Sequence, residues 1–348
     1  MCRGQYLKLF YLIFARIIYL PFKFMKVSKN IKIFINYFLG PVLFIWLSWS
    51  IYNQIQSQTG LGESWQYIKA AFSSPSVFLL IATFLLMFTH WGIEAYKWQL
   101  AIKGIQKVNF LTAYKAVLSG VSFSMTTPNR IGEYIGRVMY VEEGKRIKVA
   151  SLTIVCSMSQ LITTIFMGLI SFYFLWEPIV EAELLSLAWI RSIFGGIFAV
   201  LLVFLLFYFR IAWVVKIINT LPAFQRFSWV IEALEQYNAT ILLRFLSLSI
   251  SRYFIFILQY YLLLQFFGVV TSFSEVWISV GAMFLLMAII PTIALFTDLT
   301  LKNEISLKLL GLFNNNHLGI SLTTLGVWII NLVIPAIIGS LLILGIRR

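Results

Sequence analysis

The sequence is poor in the groups that usually do chemistry. It has two cysteines, Cys2 and Cys156, too few and too badly placed for a disulfide framework or a metal cluster. Its two histidines, His90 and His317, have no metal-ligand spacing to any other residue. Acidic residues number 13 against 27 basic ones, and charged residues make up only 11% of the chain. There is no nucleotide-binding loop and no nucleophile–base pair, so no catalytic residue, cofactor or metal is assigned. Nor is there a polar stretch long enough for a soluble domain; the longest connector, residues 210–244, is itself amphipathic.

What the chain has is apolar length. Sixty per cent of it is hydrophobic, and several runs reach the roughly 20 residues that cross a bilayer as helix. The alternating pattern of a membrane barrel is missing, which leaves an all-α polytopic membrane protein. The net charge of +14 does not point to nucleic acid, because the lysines and arginines lie in connectors between spans. That is the positive-inside pattern, and it places the chain in the cytoplasmic membrane with both termini inside.

Charge bias and run length predict the topology. Residues 1–33 are basic, with an apolar run broken by Lys8 and Arg16, which suits an interfacial helix on an anionic leaflet. About six full spans follow, at 34–52, 75–96, 150–176, 190–209, 245–267 and 318–344. Two further segments, 111–141 and 276–313, open with an apolar run too short to cross and then meet a proline, Pro128 or Pro291. Each reads as a re-entrant helical hairpin. The halves 34–176 and 190–348 then correspond with opposite orientation, an inverted-topology repeat. Paired interrupted segments in two halves are the pattern that marks a transporter's binding site.

The first hairpin carries the most polar stretch, residues 126–140. Thr127 can cap a helix and Pro128 suits its first turn. Arg130, Glu133 and Arg137 then fall at i, i+3 and i+7 on one face, while Gly132 and Gly136 form a small-xxx-small pair beside them. Guanidinium forks at a helix start at membrane depth suit an anionic headgroup, with Glu133 holding the arginines when no ligand is bound. The other reading is an ion-pair cluster that only stiffens the hairpin.

Elsewhere Thr153, Ser157, Gln160 and Thr164 make one polar stripe on a span, able to line a wet pathway or to bond neighbouring helices. Thr324 and Asn331 are seven apart and share a face on the last span. Asp298 and Lys302 can pair after Pro291, which makes Asp298 the counterpart of Glu133 in the second hairpin. His90 and Glu94 read as a local pair beside Lys97 near the inner surface, with a proton relay as the other reading, and Arg252 as a snorkelling side chain. The substrate-binding candidates are Thr127, Pro128, Arg130, Glu133, Arg137, Gln160, Asp298 and Asn331.

The stretch TTPNRIGEYIGRVMYV, residues 126–141, resembles the TPGRIGE segment of the flippase-like membrane domain, also called the lysylphosphatidylglycerol synthase transmembrane region. Tyr96, Lys97, Trp98 and Leu100 are similar to that family's Arg-Trp-x-x-Leu stretch. The family's glycine-rich second motif has no glycine here, where the chain reads Pro291-Thr292-Ile293-Ala294-Leu295-Phe296-Thr297-Asp298. The resemblance implies handling of an anionic phospholipid or of a polyprenyl-linked saccharide, by a flippase-like transporter. Alternatives are an integral membrane lipid or glycosyl transferase, or a non-catalytic partner of a glycosyltransferase; homo-oligomers are also compatible. Lysyl-transferring members carry a large soluble C-terminal domain, and this chain stops at Arg348, so aminoacyl transfer by it alone is not expected.

Overall fold

The structure, a computed structural model, describes residues 76–344 except 126, 128–129, 184–185, 211–236 and 291–297, together with Trp49, Lys69 and Phe72. Among the described residues all regular structure is helical. The helices are α1 (Val77–Ile102), α2 (Phe110–Ser124), α3 (Gly132–Val138), α4 (Arg146–Phe174, preceded by a 3-10 turn), α5 (Trp176–Glu181) and α6 (Leu187–Phe209). Then come α7 (Ala239–Phe266), α8 (Phe273–Ile289), α9 (Asp298–Leu310), α10 (His317–Trp328), a π turn (Ile329–Val333) and α11 (Ile334–Leu344).

Helix starts follow local chemistry. Asn109, Asn238 and Asn316 accept hydrogen bonds from backbone N–H groups three residues on, capping α2, α7 and α10. Ser272 and Glu275 form a reciprocal capping box on α8. Five described stretches are long and apolar enough to cross a membrane: α1, 143–174, α6, α7 and 317–343. The expected span at 34–52 and the interfacial segment 1–33 lie outside the described residues, Trp49 apart. So does most of the 210–244 connector. Helices α2 and α8, with 15 and 17 residues, are about 22 and 25 Å long, short of a hydrocarbon core of about 30 Å.

Packing relates the two halves. Helix α1 runs antiparallel to α7: Gln259 Nε2 donates to the Thr83 carbonyl at one end and Lys97 Nζ to Ser249 Oγ at the other. Helix α4 packs on α8 through Gly168 and Gly281, which sit against Leu285 and Ser171. Helix α11 packs on α2 in the corresponding way, Gly339 lying on the Leu118 carbonyl and Ser122 Oγ donating to the Ala336 carbonyl. Each half thus lends the other a partner for its short apolar helix. Small residues carry these crossings because two apolar helices gain from close backbone approach, not from hydrophobic exclusion, inside lipid. Helix α6 lies at the edge, with Phe198, Leu202 and Leu206 exposed.

Candidate functional site

Charge is buried where these halves meet. Glu94, on α1, is only 4% exposed, yet three cations converge on it. Lys97 Nζ lies 2.9 Å from its carboxylate, Arg137 Nη2 3.0 Å and Arg252 Nη1 2.9 Å. A lone carboxylate at this depth would be very costly; one with three charge-assisted partners is not. Lys97 is steadied further by Ser249, which bonds Ser159 of α4 at 2.9 Å. The reading of His90 and Glu94 as a pair near the surface is therefore corrected, and so is that of Arg252 as a snorkelling side chain. His90 is fully buried, and Arg252 donates from Nε to His90 Nε2 at 3.0 Å. Its guanidinium also stacks 5.0 Å over the Trp91 ring.

The first hairpin reaches the same cluster. Gly136 lies directly on Gly120, and Gly132 on the Phe123 carbonyl, so a Cβ at either would overlap backbone. This contact brings α3 close enough for Arg137 Nη2 to bridge Glu94 and Glu133, both at 3.0 Å. The helix start differs from expectation. Helix α3 begins at Gly132, and Arg130 lies in the preceding turn with φ 59°. The stripe is thus a turn residue plus two helical ones, because the chain must reverse before Gly132 can seat on α2, and the reversal takes a left-handed residue. Thr127 still fastens the helix start: its hydroxyl accepts from the Gly132 N–H at 2.7 Å and donates to the Phe123 carbonyl at 3.2 Å. Arg130 is half exposed, 3.6 Å from Glu133. Pro128 lies outside the described residues.

Above the cluster is a cavity of about 590 Å³, within the range of small-ligand sites. Five candidates from different parts of the chain line it: Arg130, Glu133, Gln160, Asp298 and Asn331. Thr127 and Arg137 do not; they hold the hairpin from behind. The polar stripe of α4 divides. Ser157, Gln160 and Thr164 face the cavity, whereas Thr153 accepts a hydrogen bond from Trp98 Nε1 at 3.1 Å and packs. Asn331 sits in the π turn and donates to Gln259 Oε1 at 3.0 Å. Thr324 does not line the cavity; it is buried and bonds its own helix at the Ile320 carbonyl.

Arg130, Arg252 and Lys302 line the cavity, with Lys97 and Arg137 directly behind. Glu94, Glu133 and Asp298 balance the three lining cations, and the buried Lys97 and Arg137 bring the whole cluster to an excess of two positive charges. Phe256, Phe284, Met287 and Val327 are among the apolar side chains of the wall. Among the described residues no three His, Cys, Asp or Glu side chains come together as metal ligands. Glu94 and Arg252 are the members sequence reasoning missed. A signal was there, since ionisable residues inside an apolar run are functional candidates by default.

No curated protein matches the chain. A family model does: the lysylphosphatidylglycerol synthase TM region matches residues 33–296, well over half of the sequence. The match takes in the first hairpin and the helices carrying Glu94, Gln160 and Arg252, and it ends just before Asp298. By this match the chain belongs to the lysylphosphatidylglycerol synthase transmembrane-region family.

Proposed function

We propose that this membrane protein is a flippase-like transporter that takes an anionic lipid headgroup, of a phospholipid or of a polyprenyl-phosphate-linked saccharide, into the cavity between its halves. The observation that carries this is the cavity's lining: the cations Arg130, Arg252 and Lys302, backed by Lys97 and Arg137, together with the apolar side chains Phe256, Phe284, Met287 and Val327. A phosphate-bearing lipid combines the matching groups, an anionic head and apolar chains. In this reading Arg130, in the turn, meets the headgroup first, and Glu133 holds Arg130 between turnovers. Arg137 and Thr127 keep the hairpin in place. Gln160 offers a neutral hydrogen bond from α4, Asn331 borders the cavity with its amide held by Gln259, and Asp298 with Lys302 works from the second hairpin.

The exchanged packing, α4 on α8 and α11 on α2, supports an inverted repeat in which one half rocks against the other around the cavity. The short α2 and α8 would be its re-entrant limbs, in a cytoplasmic membrane with both termini inside.

Reconstitution of the full chain into liposomes tests the transport reading. Fluorescent phosphatidylglycerol in the inner leaflet should become accessible to a membrane-impermeant quencher faster than in protein-free vesicles, and Gln160→Leu should slow it at equal protein content. Exchange no faster than in empty vesicles, with phosphatidylglycerol and with a polyprenyl phosphate alike, overturns the reading. Single-cysteine labelling tests the orientation: positions 103 and 145 should label from the cytoplasmic side, and 60, 181 and 315 from outside. Labelling of position 145 from outside would mean that the first hairpin crosses.

A further inference from the structure

Arginine offers five N–H donors, and where each goes can be counted. In Arg137, Nη2 serves Glu94 and Glu133, while Nε and Nη1 have no partner and are sealed from solvent. Arg252 is arranged differently. Its Nε donates to His90, and its Nη1 donates to Glu94 at 2.9 Å and, at 3.5 Å, to Gln160. Both Nη2 donors have no partner among the described residues, yet this nitrogen is not sealed off and its side chain lines the cavity. The side chain as a whole is nine-tenths buried, fixed on one edge by His90 and on its face by Trp91.

From this we infer that Arg252 is the preorganised anchor for a phosphoryl oxygen, with His90 as its positioning residue. The inference rests on the transport reading above and names the contact at the bottom of the same cavity. The used edges decide the ligand chemistry. With Nε and Nη1 occupied, neither two-nitrogen fork of the guanidinium is free for a flat carboxylate. The two Nη2 hydrogens diverge, so each meets a different acceptor; a tetrahedral phosphoryl group, with oxygens in several directions, can take such a single donor, whereas a flat carboxylate loses the two-nitrogen contact that favours it. A neutral imidazole is what accepts from Nε, and it holds the guanidinium plane so that Nη2 faces the cavity at no ordering cost when ligand arrives.

The test is binding to the purified full chain in detergent, read by tryptophan fluorescence, since Trp91 lies under the guanidinium. The probes are dioctanoyl phosphatidylglycerol, dioctanoylglycerol and inorganic phosphate. Wild type should bind the phosphatidylglycerol at least tenfold tighter than dioctanoylglycerol. Arg252→Lys should lose that preference. Because this variant also disturbs Glu94, His90 supplies a second route: His90→Phe should lose most of the preference and His90→Gln, which keeps an acceptor, should retain it, both keeping their affinity for dioctanoylglycerol. Inorganic phosphate binding as tightly as the lipid would assign the anchor to free phosphate and remove the lipid reading. No preference in wild type sinks the transport reading itself. A wild-type preference that survives within twofold in both Arg252→Lys and His90→Phe overturns the anchor alone.

Discussion

The two hairpins have the same layout and opposite construction. In the first, backbone meets backbone: Gly136 lies on Gly120 and Gly132 on the Phe123 carbonyl, with the Thr127 hydroxyl pinning the latter contact. In the second, side chains fill the seam. Ser279 Oγ donates to the Leu309 carbonyl at 3.4 Å and Ser306 Oγ to Met283 Sδ at 3.1 Å. The charges follow suit. Arg137 reaches out of the first hairpin to Glu94 on α1, whereas Asp298 and Lys302 pair within one helix at 2.6 Å. Close packing thus ties the first hairpin's charges into the protein's buried network, and the looser second hairpin keeps its charge local.

The sharpest way to break this comparison is to neutralise one carboxylate from each side. Glu94→Gln leaves Lys97, Arg137 and Arg252 around a neutral group with little solvent to reach. It should cost about 3–5 kcal/mol. Asp298→Asn breaks a pair whose members are 11% and 23% exposed, so water takes over part of the loss. It should cost about 1 kcal/mol or less. Thermal unfolding in detergent compares them directly; equal shifts would mean that the first hairpin's charges are as local as the second's.

Next in size is the seam. A valine at Gly136 would drive its Cβ into Gly120, where backbone and not a flexible side chain must yield. Gly136→Val should cost about 1–3 kcal/mol and loosen the reach of Arg137 to Glu94. Ser306→Ala in the second hairpin removes one weak bond to sulfur, for about 1 kcal/mol or less. If Ser306→Ala proves as damaging as Gly136→Val, the seams do not differ in the way described.

Most of this architecture is legible in the sequence, and its site is legible in part. Run lengths and loop charges mark the described spans and both short limbs, because hydrophobic length is a local property. Arg130, Glu133, Gln160, Asp298 and Asn331 stand out as polar residues in apolar surroundings, and the fold brings all five to one cavity. Glu94 and Arg252 are harder. They are 158 positions apart, and each has basic neighbours, Lys97 and Arg244, that make an interfacial reading natural. Only the antiparallel crossing of α1 and α7 turns two ordinary side chains into one ion pair. The turn at Arg130 is likewise invisible locally, because the requirement that bends it is a glycine contact with another helix.

Glu133→Gln sharpens the comparison within the first hairpin. Arg137 would keep Glu94, so no arginine is abandoned, and Glu133 itself is 16% exposed. The expected cost is about 1–2 kcal/mol, clearly below that of Glu94→Gln. Added dioctanoyl phosphatidylglycerol should recover part of it, by supplying negative charge to Arg130. A loss equal to that of Glu94→Gln would place the centre of the network at Glu133 and not at Glu94.

The smallest change in stability, and the most telling, belongs to Arg130. Its side chain is 48% exposed and its ion pair is long, at 3.6 Å, so Arg130→Lys should alter unfolding by no more than about 0.5 kcal/mol. Its backbone, at φ 59°, is one that L-residues adopt at some cost. Glycine adopts it freely. Arg130→Gly should therefore unfold no more easily than wild type in the absence of lipid. The two variants separate with ligand present. If Arg130 meets the headgroup, dioctanoyl phosphatidylglycerol should raise the Tm of wild type most, of Arg130→Lys less because the fork is gone, and of Arg130→Gly least. A residue kept for folding would give the opposite pattern, with Arg130→Gly melting early and all three proteins gaining equally from lipid. A left-handed arginine that is dispensable for stability and required for the lipid response would mean that the hairpin carries its strain for the ligand.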